Sequence, residues 1–230
     1  MKSSFFILFI PLLFLSSCKK KEENVTVVFS LKNLTGKTTK NRAYSINDTA
    51  YRILFSNFEY IDFDNNTTLV KEVFLFHSTN KGFTFKAPKG NFKAFKFYFG
   101  VDKTINNTLP INYPATNPLS IENGMYWDML KYRFLVVEGN IDNSPTKDQI
   151  PTSPFSMHLG SDTLYTEIPV LNIPKNGNTL QVEIDMCNLF ILDNDVFEIS
   201  NFSNHSTTAE IPKAISIKNN WINGISTKIE

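Results

Sequence analysis

The sequence predicts an all-β protein, an antiparallel β-sandwich with long loops and one or two short helices. Two observations support this fold class. The chain contains 21 phenylalanines and 8 tyrosines, and aromatic side chains are favoured in strands. Several segments also alternate apolar and polar residues with a period of two, as half-buried strands do.

Five segments carry the strand pattern most clearly. They are residues 25–31, 51–63, 90–101, 132–139 and 179–184. Three segments between these strands are rich in Asn, Gly and Pro, which is typical of turns. They are Asn65-Asn66, residues 88–90 and residues 175–178. Short strands separated in this way predict one sandwich domain.

Helix signals are few. Residues 208–221 hold the best one, and residues 120–130 indicate a second helical turn. Two long loops, residues 109–118 and 142–154, interrupt the strands. Loops of this length in a compact domain are often functional.

The first 17 residues have the pattern of a secretory signal peptide. A positive start is followed by an apolar run at residues 5–15 and by Ser16-Ser17. The run is too short to span a bilayer, for which a helix needs about 20 residues. Leu-Ser-Ser-Cys, ending at Cys18, resembles the lipobox of bacterial lipoproteins, which implies cleavage before Cys18 and lipidation of its thiol. A plain signal peptide with a coincidental cysteine is the alternative.

Residues 18–24 are expected to form a charged tether ahead of a domain at residues 25–230. The lysine-then-acidic run after Cys18 resembles the surface-export signal of lipoproteins in Bacteroidetes-type bacteria. A solvated linker without export function is the alternative. The expected location is the outer membrane, through a lipid anchor that stabilises attachment by roughly 0.8 kcal/mol per buried methylene. Display on the cell surface is a further expectation.

Charge and motifs favour binding over catalysis. The net charge of +1 gives no electrostatic footprint for nucleic acid. The chain has no phosphate-binding Gly-x-x-x-x-Gly-Lys loop and no Gly-x-Ser-x-Gly nucleophile elbow. No spacing singles out a catalytic pair of carboxylates. We therefore expect a protein that is not an enzyme.

The three histidines, His77, His158 and His205, are the candidate metal ligands. Imidazole suits copper and zinc, and the methionine thioether suits Cu(I). A shared site requires the fold to bring His158 and His205 together, which their separation allows but does not require. Structural roles are the alternative, with His77 at a strand end and His158 pinning a loop.

Around the histidines, Trp127, Met125 and Met157 are candidates for positions near the site. Soft sulfur beside imidazole is compatible with copper. Methionine and tryptophan together more often fill a core, and this remains the alternative.

Several blocks of the chain resemble the MbnP-like copper-binding domain family, which consists of extracytoplasmic proteins with many lipoprotein members. The blocks are Gly100-Val101-Asp102, Pro118-Leu119, Gly124-Met125-Tyr126-Trp127, residues 132–139 and His158-Leu159-Gly160. The resemblance covers nearly all of residues 25–224. It implies a β-sandwich that handles copper by binding it, with His158 as the first candidate ligand, His205 as the second and His77 as the third. Met129 departs from the family pattern, because relatives commonly have a second tryptophan there.

A surface module that binds a glycan or a protein partner is the competing function. Exposed aromatic residues would carry it, with Tyr113, Tyr126 and Trp221 as candidates. A hydrolase on the same scaffold is a third possibility. A copper site should depend on histidines and a glycan surface on aromatic residues, whereas a hydrolase should show turnover.

Overall fold

The computed structural model describes residues 21–90, 92–169, 171–172, 178–191 and 203–229. The predicted signal peptide at residues 1–17, the predicted lipidation site Cys18 and the first part of the tether lie outside these residues. Most of the turn predicted at residues 175–178 also lies outside them. Within the described part of the chain, no helix combines the length and the apolar character needed to cross a bilayer.

Strands dominate the described residues. They are β1 (Glu22–Lys32), β2 (Thr35–Lys37), β3 (Ala43–Asp62), β4 (Thr67–His77), β5 (Gly82–Pro88), β6 (Phe92–Phe99), β7 (Tyr126–Trp127), β8 (Lys131–Tyr132), β9 (Leu135–Ile141), β10 (Ser153–Leu159), β11 (Thr166–Glu167), β12 (Leu171–Asn172), β13 (Thr179–Asp185) and β14 (Ile225–Ile229). The α-helices are α1 (Lys103–Asn106) and α2 (Ile211–Ile222). Short 3-10 helices span Pro110–Asn112, Ile121–Asn123, Asp162–Leu164 and Met186–Phe190.

The strands form two main sheets that pack face to face. One sheet has the order β14-β13-β1-β5. The other has the path β10-β9-β3-β6-β11, with β4 and β2 also paired to β3 and β12 to β6. β7 and β8 form a separate hairpin. The predicted all-β sandwich is therefore confirmed. Among the described strands, β1 and β13 depart from the antiparallel pattern because they run parallel.

Phenylalanine side chains fill the space between the sheets. Phe29 of β1 is fully buried and contacts the rings of Phe55, Phe74, Phe76 and Phe97 from the facing sheet, at centroid distances of 5.2–5.8 Å. Such aromatic pairs stabilise a core beyond the area that they bury, by about 0.5–1.5 kcal/mol each. The abundance of phenylalanine in the sequence is thus explained by the core.

The central strand β3 is covered on both faces. Its residues Ile53, Leu54, Phe55 and Ser56 are all fully buried, although successive side chains of a strand point to opposite faces. The inner face packs against the β1 sheet, and the long connection between β6 and β9 covers the outer face. The N–H of Leu54 donates to the carbonyl of Phe134 at 2.8 Å, which ties the end of this connection to β3.

Gly100 is required where that connection begins. Its φ of +81° lies in the region that L side chains rarely adopt, and a Cβ there would overlap the ring of Phe134. Its carbonyl accepts a hydrogen bond from the hydroxyl of the buried Ser56 at 2.7 Å. Glycine at this position therefore lets the chain turn closely over the outer face of β3.

The observed elements extend the predicted ones. The five predicted strands correspond to β1, β3, β6, β9 and β13, and the predicted C-terminal helix corresponds to α2. At residues 120–130 the predicted helical turn is limited to Ile121–Asn123, and the β7–β8 hairpin follows it. Strand β10 begins at Ser153, inside the segment predicted to be a loop.

Candidate metal centre

The segment at residues 203–206 lies along the edge of β10 and places His205 beside His158. The N–H of His158 donates to the carbonyl of Asn204 at 2.7 Å, and the N–H of Asn204 donates to the carbonyl of Ser156 at 3.0 Å. Met157 and Asn204 therefore form a parallel bridge. These backbone hydrogen bonds make neighbours of residues that lie far apart in sequence.

Asn204 and Ser206 hold this segment in shape. Asn204 is fully buried, and its side-chain oxygen accepts the N–H of Ser206 at 2.9 Å. The hydroxyl of Ser206 in turn accepts the N–H of Gly160 at 3.2 Å. Ser206 has a φ of +52°, a conformation that needs such local support. These contacts fix the backbone on both sides of His205.

Glu210 supports the same segment from the start of α2. Its Oε2 accepts hydrogen bonds from the N–H of His205 at 3.3 Å and from the N–H and hydroxyl of Thr207 at 3.2 and 2.7 Å. Burial raises the pKa of this carboxyl, but the hydrogen bonds from Thr207 and His205 outweigh burial and leave the pKa below its usual value. Glu210 is therefore an ionised acceptor at neutral pH.

The two imidazoles face each other closely. Their ring centroids are 5.0 Å apart and their planes are inclined by 71°. Nε2 of His205 lies 3.2 Å from the hydroxyl of Ser156, which occupies the same face of β10 as His158. A pair of imidazoles at this separation can offer two nitrogen ligands to one ion.

His158 has a hydrogen-bond partner on each nitrogen. Nε2 lies 3.0 Å from Oε1 of Glu138, and Nδ1 lies 3.4 Å from Nη1 of Arg133. A guanidinium can only donate, so Nδ1 accepts from Arg133 and the Nε2 proton is directed to Glu138. Burial lowers the pKa of His158, as do the charges of Arg133 and His205, while the hydrogen bond with Glu138 opposes them. The ring is therefore neutral at pH 7, with its lone pair on Nδ1.

Trp127 lies next to both histidine rings. Its ring lies 6.2 Å from that of His158 and 5.7 Å from that of His205, nearly perpendicular to both. The β7–β8 hairpin carries the indole, which is 37% exposed. The Cζ atom of Arg133 lies over the same indole, 5.9 Å from its centroid. The structure thus brings together His158, His205 and Trp127.

His77 does not join this group. It is the last residue of β4 and pairs with Arg52 of β3. Arg52 pairs in turn with Val136 of β9, and Val136 pairs with His158 of β10. Three strand spacings of about 4.8 Å place His77 roughly 14 Å from His158 on the same face. Its Nδ1 lies 3.2 Å from the hydroxyl of Thr79, and burial, with the charge of Arg52, lowers its pKa.

Neither methionine proposed near the site presents its sulfur at the surface. Met157 is fully buried, and because successive side chains of a strand alternate, it points into the core from the face opposite His158. Met125 is also fully buried, and its carbonyl accepts the N–H of Arg133 at 2.7 Å. Both belong to the hydrophobic core. The centre therefore rests on nitrogen donors and not on thioethers.

Trp221, a candidate for an exposed glycan-binding aromatic, is fully buried and stacks on Phe55 at 6.3 Å. The apolar face of α2 carries it into the core. Tyr113 and Tyr126 are half-buried, and the hydroxyl of Tyr113 donates to Thr108 at 3.0 Å. The prediction that Trp221 is exposed is wrong, because a large indole on a short helix stabilises the fold most when it is buried.

Sequence reasoning overlooked Arg133, Glu138 and Ser156, which contact the histidines directly. A signal for two of them was available. Glu138 ends the apolar run of β9 on the same face as Ser156, which lies directly opposite it on β10. Arg133 carried no comparable signal, because its contact with His158 depends on how the hairpin folds over the sheet.

The donor set is small. Among the residues that the structure describes, no group of three or more histidine, cysteine or carboxylate side chains is arranged to hold a metal ion. The centre consists of the imidazoles of His158 and His205 and the indole of Trp127. The carboxylate of Glu138 contacts Nε2 of His158. Nitrogen ligands of this kind fit copper, and the role of these residues as ligands stays a prediction.

Comparisons with known proteins agree with the fold. The family model for MbnP matches residues 22–211, a range that includes Trp127, His158 and His205. The solved structure of MbnP from Methylosinus trichosporium is similar, with a TM-score of 0.58 at 15% identity, over 81% of this chain and 84% of that one. At this identity the likeness shows a common fold. No curated protein matches the chain significantly.

Proposed function

The chain belongs to the MbnP family, and from this premise we propose that it is an extracytoplasmic copper-binding protein that holds the ion with His158 and His205. One observation carries the proposal. The fold brings two histidines from distant segments to a centroid separation of 5.0 Å, beside a partly exposed indole. The resemblance to copper-binding domains that the sequence blocks carry points to the same metal.

Glu138 is proposed to orient His158. Because the carboxylate accepts the Nε2 proton, the lone pair of the neutral ring is on Nδ1. A carboxylate that fixes the tautomer of a metal-binding histidine is a common device, and its removal typically lowers metal affinity 10–100-fold. In this arrangement Nδ1 of His158 is the coordinating atom, and Glu138 supports it from the outer side.

Copper titration of the purified protein tests the proposal. We expect one ion per chain, and the double substitution His158→Ala and His205→Ala should lower the affinity by more than about 100-fold, since loss of supporting groups alone costs 10–100-fold. His77→Ala is the matched control, because it removes the third histidine roughly 14 Å away. Equal copper uptake by the double variant and by the control would exclude the proposed ligands.

In this proposal the protein binds copper at a membrane surface and catalyses no reaction. We propose that Cys18 carries the lipid anchor and that the domain is attached to the outer membrane, in agreement with the lipobox-like Leu-Ser-Ser-Cys sequence. Cys18→Ser should release the protein into the soluble fraction of fractionated cells. Retention of the variant in the membrane would contradict the anchor.

A binding module for a glycan or a protein partner is the second candidate. An open cleft of about 590 Å³ lies beside the centre, and its lining includes Met129, Ser161, Ser206 and Thr207. Met129 is 65% exposed. This function should depend on Met129, which lines the cleft, and survive the double histidine substitution, which separates it from copper binding.

A further inference from the structure

We infer that Arg133 occupies the coordinating nitrogen of His158 in the metal-free protein, so that its guanidinium acts as a cationic placeholder that an incoming copper ion must displace. The inference rests on the proposed copper site and adds a specificity-determining residue to it. Arg133 is not among the ligands that the family resemblance implies.

Nδ1 is the nitrogen of His158 that is open to an ion. Glu138 holds Nε2 of His158 at 3.0 Å, so the only lone pair of the neutral ring is on Nδ1. Nη1 of Arg133 lies 3.4 Å from that atom. An arginine N–H donor therefore stands where an ion bound to Nδ1 would stand.

The guanidinium of Arg133 makes few other polar contacts. Within the described residues its guanidinium forms no salt bridge: Nη2 donates to the carbonyl of Gly124, and Nε is buried without a hydrogen-bond partner. Burial and the nearby charge of Arg52 lower its pKa, and the charge of Glu138 opposes them in part. Glu138 therefore acts on this charge at longer range, and among the described residues no ion pair has to break when the guanidinium leaves Nδ1.

The indole of Trp127 offers the displaced guanidinium of Arg133 a second position. Arg133 lies over the partly exposed indole of Trp127, with Cζ 5.9 Å from the ring centroid. The guanidinium can therefore leave Nδ1 and remain on the aromatic face as a cation–π partner, without crossing the core. Its contact with His158 is also the longer of the two contacts to that ring.

The charge of the placeholder also selects among ions. The guanidinium stays near the site after it moves onto the indole, and its repulsion of a bound ion grows in proportion to the charge of that ion. Arg133 thus disfavours a divalent ion twice as strongly, in free energy, as a monovalent one. Arg133 therefore shifts the relative affinity of the site towards Cu(I).

Affinity measurements on the whole purified protein test the inference, with competing chelators and with Cu(I) handled anaerobically. Arg133→Gln should tighten Cu(I) binding by about tenfold and Cu(II) binding by about a hundredfold, because the electrostatic free energy doubles with the charge. The preference for Cu(I) then falls by about tenfold, which corresponds to about 59 mV in the potential of the bound ion.

Two further variants separate charge from structure. Arg133→Lys keeps the positive charge and should retain most of the preference for Cu(I). Lys131→Gln removes a positive charge from the same hairpin, but from a side chain that donates to Asn107, and should change neither affinity. A purely structural role for Arg133 predicts weaker binding of both ions in Arg133→Gln, the opposite direction.

The outcomes distinguish the two proposals. Suppose that the wild type binds copper and that Arg133→Gln binds it with the same or a lower affinity. This result would overturn the role of Arg133 as a placeholder and leave the proposed copper site intact. Absence of copper binding in both the wild type and Arg133→Gln would overturn the copper site together with the placeholder. Thermal unfolding of each variant checks that the fold persists.

Discussion

The backbone N–H of His158 donates to the carbonyl of Asn204 at 2.7 Å. This bond joins β10 to the segment that carries His205, and it determines which side chains can meet. Because the neighbouring residue His205 is then held against the face of β10, the two imidazoles lie 5.0 Å apart. The candidate copper centre therefore depends on the edge of one strand and on the residues that fix the segment paired with it.

Asn204→Ala tests that dependence. Asn204 is fully buried, and the substitution removes its hydrogen bonds to the N–H of Ser206 and the carbonyl of Glu210. We expect the free energy of unfolding to fall by about 1–3 kcal/mol and copper affinity to fall about tenfold or more. Urea unfolding and copper titration measure the two effects. Asn143→Ala, an exposed control, should change stability by less than about 0.5 kcal/mol.

Glu138→Gln tests the tautomer assigned to His158. Glutamine keeps the shape of the side chain but is a weaker acceptor for the Nε2 proton, so we expect copper affinity to fall about tenfold. Glu122→Gln removes an exposed carboxylate elsewhere in the chain and should leave the affinity unchanged. An unchanged affinity in Glu138→Gln would mean that Glu138 does not support the coordinating ring.

The two tryptophans should respond differently to copper. Trp127 borders the histidines and is 37% exposed, whereas Trp221 is fully buried against Phe55. Copper should therefore quench emission from Trp127, and Trp127→Phe should abolish most of the quenching. Trp221→Phe should retain it. Fluorescence titration measures the response, and quenching that persists in Trp127→Phe would place the ion elsewhere.

The metal-free protein should lose stability as the pH falls below about 6.5, the pKa of an unperturbed histidine. Burial lowers the pKa of His158 in the folded state, so the unfolded chain binds more protons in this range and acid favours unfolding. The loss begins near the unfolded-state pKa and is complete below the folded-state pKa. Urea unfolding between pH 7.5 and pH 5 measures it.

The variant His158→Asn provides the comparison for that pH series. It lacks the titrating ring, so its stability should fall less steeply over the same range. His77 also has a lowered pKa and contributes in the same direction, so a residual slope is expected in the variant. Identical slopes for wild type and variant would show that His158 is not a buried neutral ring.

Gly100→Ala should destabilise the fold by about 2–4 kcal/mol, because it combines a strained φ of +81° with overlap between Cβ and the ring of Phe134. Gly90→Ala is the matched control. Gly90 has a φ of +64° but no atom within 4 Å of an added Cβ, so only the backbone cost of roughly 1–2 kcal/mol applies. Thermal and urea unfolding compare the two, and equal losses would contradict the close approach of Phe134.

Much of the sandwich could be predicted because strand periodicity is a local property. The alternation in β1 and β13 follows directly from which of their side chains are buried. β10 was harder to recognise, because Pro154 near its start suggests a loop. Proline is tolerated there because it occupies the second residue of an edge strand. Without that strand, the opposite orientations of Met157 and His158 could not be foreseen.

The fold class, the family and the histidines proposed as copper ligands, with Trp127 near them, could be predicted from the sequence, because periodicity and residue chemistry are local. The folded structure was needed to show that His205 joins His158 while His77 lies three strands away, and that Trp221 is buried while Trp127 borders the site. Long-range pairing explains this difference. The hydrogen bonds between β10 and residues 203–206, and the close approach at Gly100, join segments whose separation in sequence carries no information about which of them will meet.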